Sequence, residues 1–165
     1  MKSIGIKVAS GILLIAALFV FSAFQEKAEV SYKCMIQMMN YTGEKAYVVV
    51  SLINPEGQYE KTLYIQGDDK EWFPDLKNWW VFSNGAKENV DAISGATIGN
   101  GERNIISLGF DSAHIDTGYK IRFESAVENQ EYYEVDAEID LNAATIKNKV
   151  DGTGYIRYIR MVPNN

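Results

Sequence analysis

The chain has 165 residues, with 16 basic against 22 acidic side chains and a formal net charge of −6. That balance argues against nucleic-acid binding, which needs a clustered basic face. A single histidine and a single cysteine exclude a histidine-rich metal site and leave no internal disulfide.

Lys2 and Lys7 precede an uncharged apolar run from Val8 to Phe24, and Gln25-Glu26-Lys27 opens the polar chain. The run lies at the lower edge of what spans a bilayer and is longer than a usual signal core. Positive charge ahead of it keeps the N-terminus cytoplasmic and exports the remainder. Residues 1–27 therefore read as a signal peptide or an N-terminal membrane anchor, with Phe21-Ser22-Ala23 a partial match to a cleavage site. Residues 28–165 suffice for one domain with its own core. Cys34 lacks the small apolar residues of a lipoprotein signal before it and reads as a half-buried strand thiol. Met35, Met38 and Met39 read as gap-filling core, since no histidine or second cysteine accompanies them.

Beyond the leader the apolar segments are short, with many β-branched and aromatic residues. Glu29–Met39, Lys45–Ile53, Tyr59–Ile65, Arg103–Phe110, Tyr119–Ala126, Tyr132–Leu141 and Gly154–Val162 are predicted strands. Asn54-Pro55-Glu56-Gly57 is a turn between the second and third. Asn142–Asn148 is a short turn or an extended link. The spacing predicts an all-β fold, an antiparallel immunoglobulin-like β-sandwich.

One segment breaks the pattern. Trp72-Phe73-Pro74-Asp75-Leu76-Lys77-Asn78-Trp79-Trp80 holds all three tryptophans of the chain. Pro74 suits the opening of a helical turn, and Trp72, Leu76, Trp79 and Trp80 would share one face. A short helix over Pro74–Trp80 would cap the sandwich. An indole from it, Trp79 or Trp80, would also offer a flat partner to a ring system.

The stretch 81–101 is rich in Gly, Asn and Ser and reads as a long exposed loop. Within it stands Asp91-Ala92-Ile93-Ser94-Gly95-Ala96-Thr97. This Asp-x-x-Ser-Gly-Ala-Thr pattern resembles the signal at which bacterial flavin transferases join FMN, through its phosphate, to a threonine hydroxyl. Five of seven positions are specific, so a chance match is on the order of a few in ten thousand such chains. In that chemistry Thr97 supplies the hydroxyl. Gly95 and Ala96 keep bulk away, with Gly95 free to take positive φ. Asp91 would cap the turn or meet a group in the transferase, and Ser94 completes the pattern. Lys87 and Arg103 flank the loop as counter-charges for a phosphodiester.

Four pieces, in order, resemble the domain-of-unknown-function 2271 family of exported bacterial proteins. They are Lys45–Ile53, Tyr59–Ile65, the Trp-x-Pro-Asp-Leu signature within Glu71–Trp80, and Asp91–Thr97. The resemblance implies a β-sandwich, a periplasmic or membrane-anchored location facing the periplasm, and an association with flavin-based electron transfer beside membrane-bound PepSY-like reductases. Where the family usually carries a Trp-Asp-Gly hairpin, this chain has Leu108-Gly109-Phe110-Asp111-Ser112-Ala113-His114. Asp116-Thr117-Gly118-Tyr119 still suits a turn into the next strand.

No catalytic constellation and no metal site is visible. His114 has no Ser or Asp tied to it as a triad and reads as a solvated turn residue. The preferred function is thus an exported electron carrier, not itself an enzyme, with covalent FMN on Thr97 and a flavin transferase and a membrane reductase as partners. The alternative is a cofactor-free immunoglobulin-like interaction module using the Trp72–Trp80 face.

Overall fold

The computed structural model describes residues 28–164, so the leader Val8–Phe24 lies outside the described residues. Among the described residues no helix is long and apolar enough to cross a membrane. In chain order the strands are β1 (Glu29–Met38), β2 (Tyr47–Ile53), β3 (Tyr59–Gln66), β4 (Ser94–Gly95), β5 (Arg103–Asp111), β6 (Lys120–Ala126), β7 (Tyr132–Asp140), β8 (Val150–Asp151) and β9 (Ile156–Pro163). One helix, α1 (Lys77–Ala86), stands between β3 and β4.

The strands make a sandwich of two sheets, ordered β5-β1-β9-β8 and β4-β3-β2-β6-β7. Pairing is antiparallel except between β3 and β4, which run parallel. Period-2 alternation places the core. β1 buries Cys34, Ile36 and Met38 and turns Lys33, Met35 and Gln37 to its other face. Val48, Val50, Leu52, Ile121, Phe123 and Ile139 meet them from the opposite sheet.

The central strand β2 does not alternate. All its residues after Tyr47 are buried, because its two faces serve two cores. Val48 and Val50 face the other sheet, while Val49 joins Ile65, Phe73, Leu76, Trp79 and Val90 in a second cluster. A continuous apolar run is the sequence form of a strand covered on both sides. The five-stranded sheet is thus roofed by α1 and the 3-10 turn Lys70–Asp75, whereas the four-stranded sheet keeps an open outer face.

All seven predicted strands are present within two residues at each end. The helix differs from expectation. Pro74 lies in the 3-10 turn, and α1 begins after it and continues through Val81–Ala86 to end at Lys87 in the left-handed region, φ 53°. Asn and Gly in 81–86 suggested a loop, but burial of Trp79 and Ser83 holds that stretch helical. Two-residue β4 and β8 carried no periodic signal. Cys34 is fully buried, not half-buried, and burial pushes its thiol up to about 12. Met38 is core, but Met39 is exposed. Asn54–Gly57 forms the expected turn, with the Gln58 amide donating to Asn54 Oδ1 at 2.9 Å. Asn142–Asn148 is a chain of tight turns around buried Ile146.

Candidate functional site

The Asp91–Thr97 stretch is built into the edge of the five-stranded sheet. After α1, Glu88 reaches back to β3, where its carboxylate accepts from the Thr62 amide at 3.0 Å and from the Thr62 hydroxyl. Asn89 Oδ1 accepts from the Asp91 amide at 3.1 Å, starting a 3-10 turn over Asp91–Ile93. Ser94 Oγ donates to the Asp91 carbonyl at 3.3 Å. Ser94 and Gly95 then pair with Ile65 and Gln66, and the Gly67 amide donates to the Gly95 carbonyl at 2.5 Å. Three residues after Gly95, Ile98 is buried and bridges Ala46 through bonds of 2.8 and 3.1 Å. Tyr41 locks that bridge, accepting from the Ala46 amide and donating to the Ile98 carbonyl.

Ala96 and Thr97 are therefore a two-residue span held at both ends. Ala96 is exposed and Thr97 half-buried. Expectation of a long exposed loop is corrected: pairing at β4 and the Ile98 anchor leave little free chain. Gly95 is not among the residues with positive φ. Its role is steric, since a Cβ there would lie 2.3 Å from Tyr64 Oη. Asp91 forms an exposed ion pair with Lys70 at 2.5 Å, a contact that solvent screens.

Thr97 lines a cleft of about 280 Å³ together with Lys45, Tyr47, Trp72 and Glu128. Among the described residues lining it, Lys45 supplies the positive charge, opposed by the carboxylates of Glu44, Asp75 and Glu128. Lys87 instead lines a separate groove with Trp80 and Lys70. Arg103 donates to Gln37 Oε1 at 2.9 Å and to the Tyr158 hydroxyl at 3.4 Å on the other sheet. Neither supplies charge to the Thr97 cleft. Lys45 does so because the chain entering β2 crosses the chain leaving Thr97, a juxtaposition invisible in one sequence.

The tryptophans divide three ways. Trp79 is fully buried, and its Nε1 donates to Thr62 Oγ1 at 2.8 Å. Its indole is core, stacked edge-on against Phe73 at 5.3 Å. Trp80 is half-buried in the groove beside Lys87, and Trp72 is the indole that borders Thr97. The sequence periodicity grouped all three on one helical face. The break at Asp75–Leu76 between the 3-10 turn and α1 separates Trp72 from the others.

A buried acid lies under α1. Glu124 accepts from the Tyr59 hydroxyl at 2.7 Å, the Tyr132 hydroxyl at 2.5 Å and the Trp79 amide at 3.4 Å. Burial pushes its carboxyl up to about 7, against those hydrogen bonds and nearby Arg122. Sequence reading missed it, because strand alternation in Ile121-Arg122-Phe123-Glu124 puts Glu124 on the same face as Arg122, as for an ordinary exposed acid. His114 also departs from expectation. It sits in the predicted turn, but its side chain is only 17% exposed and stacks on Tyr119 at 4.2 Å. Asp116 and Gly118 take positive φ there and make the turn into β6. No group of three or more His, Cys, Asp or Glu fit to hold a metal occurs among the described residues.

The family model described as "Predicted periplasmic protein (DUF2271)" matches residues 29–158. The chain belongs to this DUF2271 family. Comparison with curated proteins and with solved structures gives no match. The match runs from the first residue of β1 into β9 and takes in both the cleft and Asp91–Thr97. The protein is periplasmic, which agrees with the DUF2271 description and with the export signal read in the leader.

Proposed function

We propose that this periplasmic protein carries FMN esterified to Thr97 and shuttles electrons without turning over a substrate of its own. The observation that carries the reading is Asp91–Thr97 with its acceptor hydroxyl on a two-residue span bordering a cleft. The residues suit the group: a secondary hydroxyl for the ester, Lys45 for the phosphodiester charge, and aromatic Trp72 and Tyr47 for an apolar ring. Attachment by a flavin transferase forms the Thr97 Oγ1–phosphorus bond and breaks the pyrophosphate bond of a flavin dinucleotide donor. AMP leaves, and the hydroxyl proton passes to a base in the transferase. Once bound, the flavin supplies the redox chemistry. The chain's own contributions are the hydroxyl, its placement and the surrounding charge. A membrane-bound reductase of the PepSY type is the partner class.

The test is intact mass after co-expression with a flavin transferase. Wild type gains the FMN mass and Thr97→Ala does not, while Thr97→Ser retains attachment because the nucleophile survives. Equal added mass on Thr97→Ala, or none on wild type, refutes the reading. A cofactor-free docking module is the second reading. It draws support from the open face of the four-stranded sheet, where Ile105 and Val162 are 58% and 49% exposed. The Trp72–Trp80 face does not serve it, because Trp79 is buried.

A further inference from the structure

We infer that the cleft beside Thr97 is the seat of the flavin ring, with Trp72 and Tyr47 as its apolar walls and Lys45 against the phosphodiester. This rests on the flavin reading above and goes beyond it, because attachment alone leaves a tethered ring free in solvent.

The walls are preformed. Tyr47 opens β2, and its ring lies over Gly67, where a Cβ would stand 2.0 Å from Tyr47 Cδ1. Its edge meets Phe73 at 6.4 Å with an interplanar angle of 77°. Phe73 is itself core, so the tyrosine is fixed from below and from the side. Trp72 sits one residue before Phe73, on the 3-10 turn whose entry is fixed by Asp69 accepting from Glu71 N at 3.0 Å. Tyr47 and Trp72 thus hang from buried structure but keep half-open surface toward Thr97. A volume of about 280 Å³ lies just below the usual range for enclosed ligand sites, about 300–1,000 Å³. A tricyclic ring seated there keeps an edge toward solvent, which is what exchange of electrons with a partner requires.

The charge of the seat sets the direction of its effect on the ring. Glu44, Asp75 and Glu128 face Lys45, three negative charges to one positive. Burial raises the Tyr47 hydroxyl above its ordinary range, and Asp69, Asp68 and Asp75 add to the rise. Two-electron reduction of a flavin takes up one proton to give an anionic product or two to give a neutral one. Carboxylates oppose the anionic product, so the seated flavin is harder to reduce than free FMN.

The experiment uses the full chain co-expressed with a flavin transferase, with intact mass measured for every variant. Fluorescence and a dithionite titration against a reference dye are then recorded. In wild type the indole and phenol quench the flavin to a small fraction of free FMN's emission. Trp72→Ala brightens it several-fold, and Trp72→Phe brightens it while preserving an aromatic side chain at the site. Glu128→Gln raises the reduction potential and Lys45→Gln lowers it. A flavin that is attached, yet as bright as free FMN, unmoved by Trp72→Phe and equal to free FMN in potential, overturns the seat and leaves the carrier reading standing. Absence of the added mass from wild type overturns both.

Discussion

Gly95 shows how much one absent methyl group decides. Its backbone is ordinary strand, so any residue could adopt it, but Tyr64 Oη occupies the space a Cβ would need. Gly95→Ala should cost about 1–3 kcal/mol by overpacking and loosen β4 from β3. Tyr64→Phe removes the oxygen and leaves Cζ as the next atom, 3.4 Å from that Cβ, an ordinary contact. The double variant Gly95→Ala/Tyr64→Phe should therefore recover most of the loss in a thermal melt. If the two costs simply add, the steric account is wrong. Glycine in the motif was legible from the sequence as a place needing little bulk. The partner that needs the space was not, because Tyr64 comes from a neighbouring strand.

At the scale of elements, the C-terminal hairpin depends on one acid. Asp136 in β7 is fully buried and accepts from the amides of Thr153, Gly154 and Ile156 at 3.0, 2.7 and 2.9 Å, and from Ser125 Oγ at 2.5 Å. It ties the turn between β8 and β9 to the opposite sheet. Asp136→Ala strands the buried Ile156 amide and Ser125 hydroxyl and the half-buried Gly154 amide, and should destabilise by about 3 kcal/mol, read as a lower urea midpoint. A loss under ~1 kcal/mol would show that water replaces the carboxylate. The strands themselves were readable because β1, β5 and β9 alternate and β2 runs apolar. The helix was half-readable: Trp79 marked it, but Asn84 and Gly85 hid its second half, which packing sustains against weak propensity. Strands of two residues have no period to read.

For the molecule as a whole, stability should depend on pH through Glu124. Its ordinary carboxyl value of 4.5 is raised to about 7 in the fold by burial. Between those values the native state holds a proton that the unfolded chain has lost, so stability falls as pH rises and levels off above about 7. The shift corresponds to roughly 3 kcal/mol. Burial also raises the Glu138 carboxyl, but hydrogen bonds from Lys120 and Arg122 outweigh it and hold it below its ordinary value, outside this window. Urea midpoints at pH 5, 6, 7 and 8 should decline for wild type and stay level for Glu124→Gln, which keeps an acceptor for Tyr59 and Tyr132. A level wild-type profile would mean that the three donors around Glu124 hold it ionised throughout. Nothing in the sequence pattern distinguished this acid from the exposed ones. Its burial follows only once α1 closes over β6.

The brevity of β4 also sets a clock. Val90 and Ile98 are buried, but between them Ser94, Gly95 and Thr97 are half-buried and Ala96 is exposed. Lifting that stretch breaks two strand pairings and the Gly67–Gly95 bond while leaving both apolar anchors seated. Such an opening lies far below global unfolding in cost. On the proposed flavin reading, the Thr97 hydroxyl would be offered to a modifying enzyme in brief excursions after the sandwich has formed, so that attachment would follow folding. Amide exchange would reveal it: the Gly67 amide should exchange orders of magnitude faster than that of Val49 in β2. Equal protection would mean that the threonine must be reached before the chain closes.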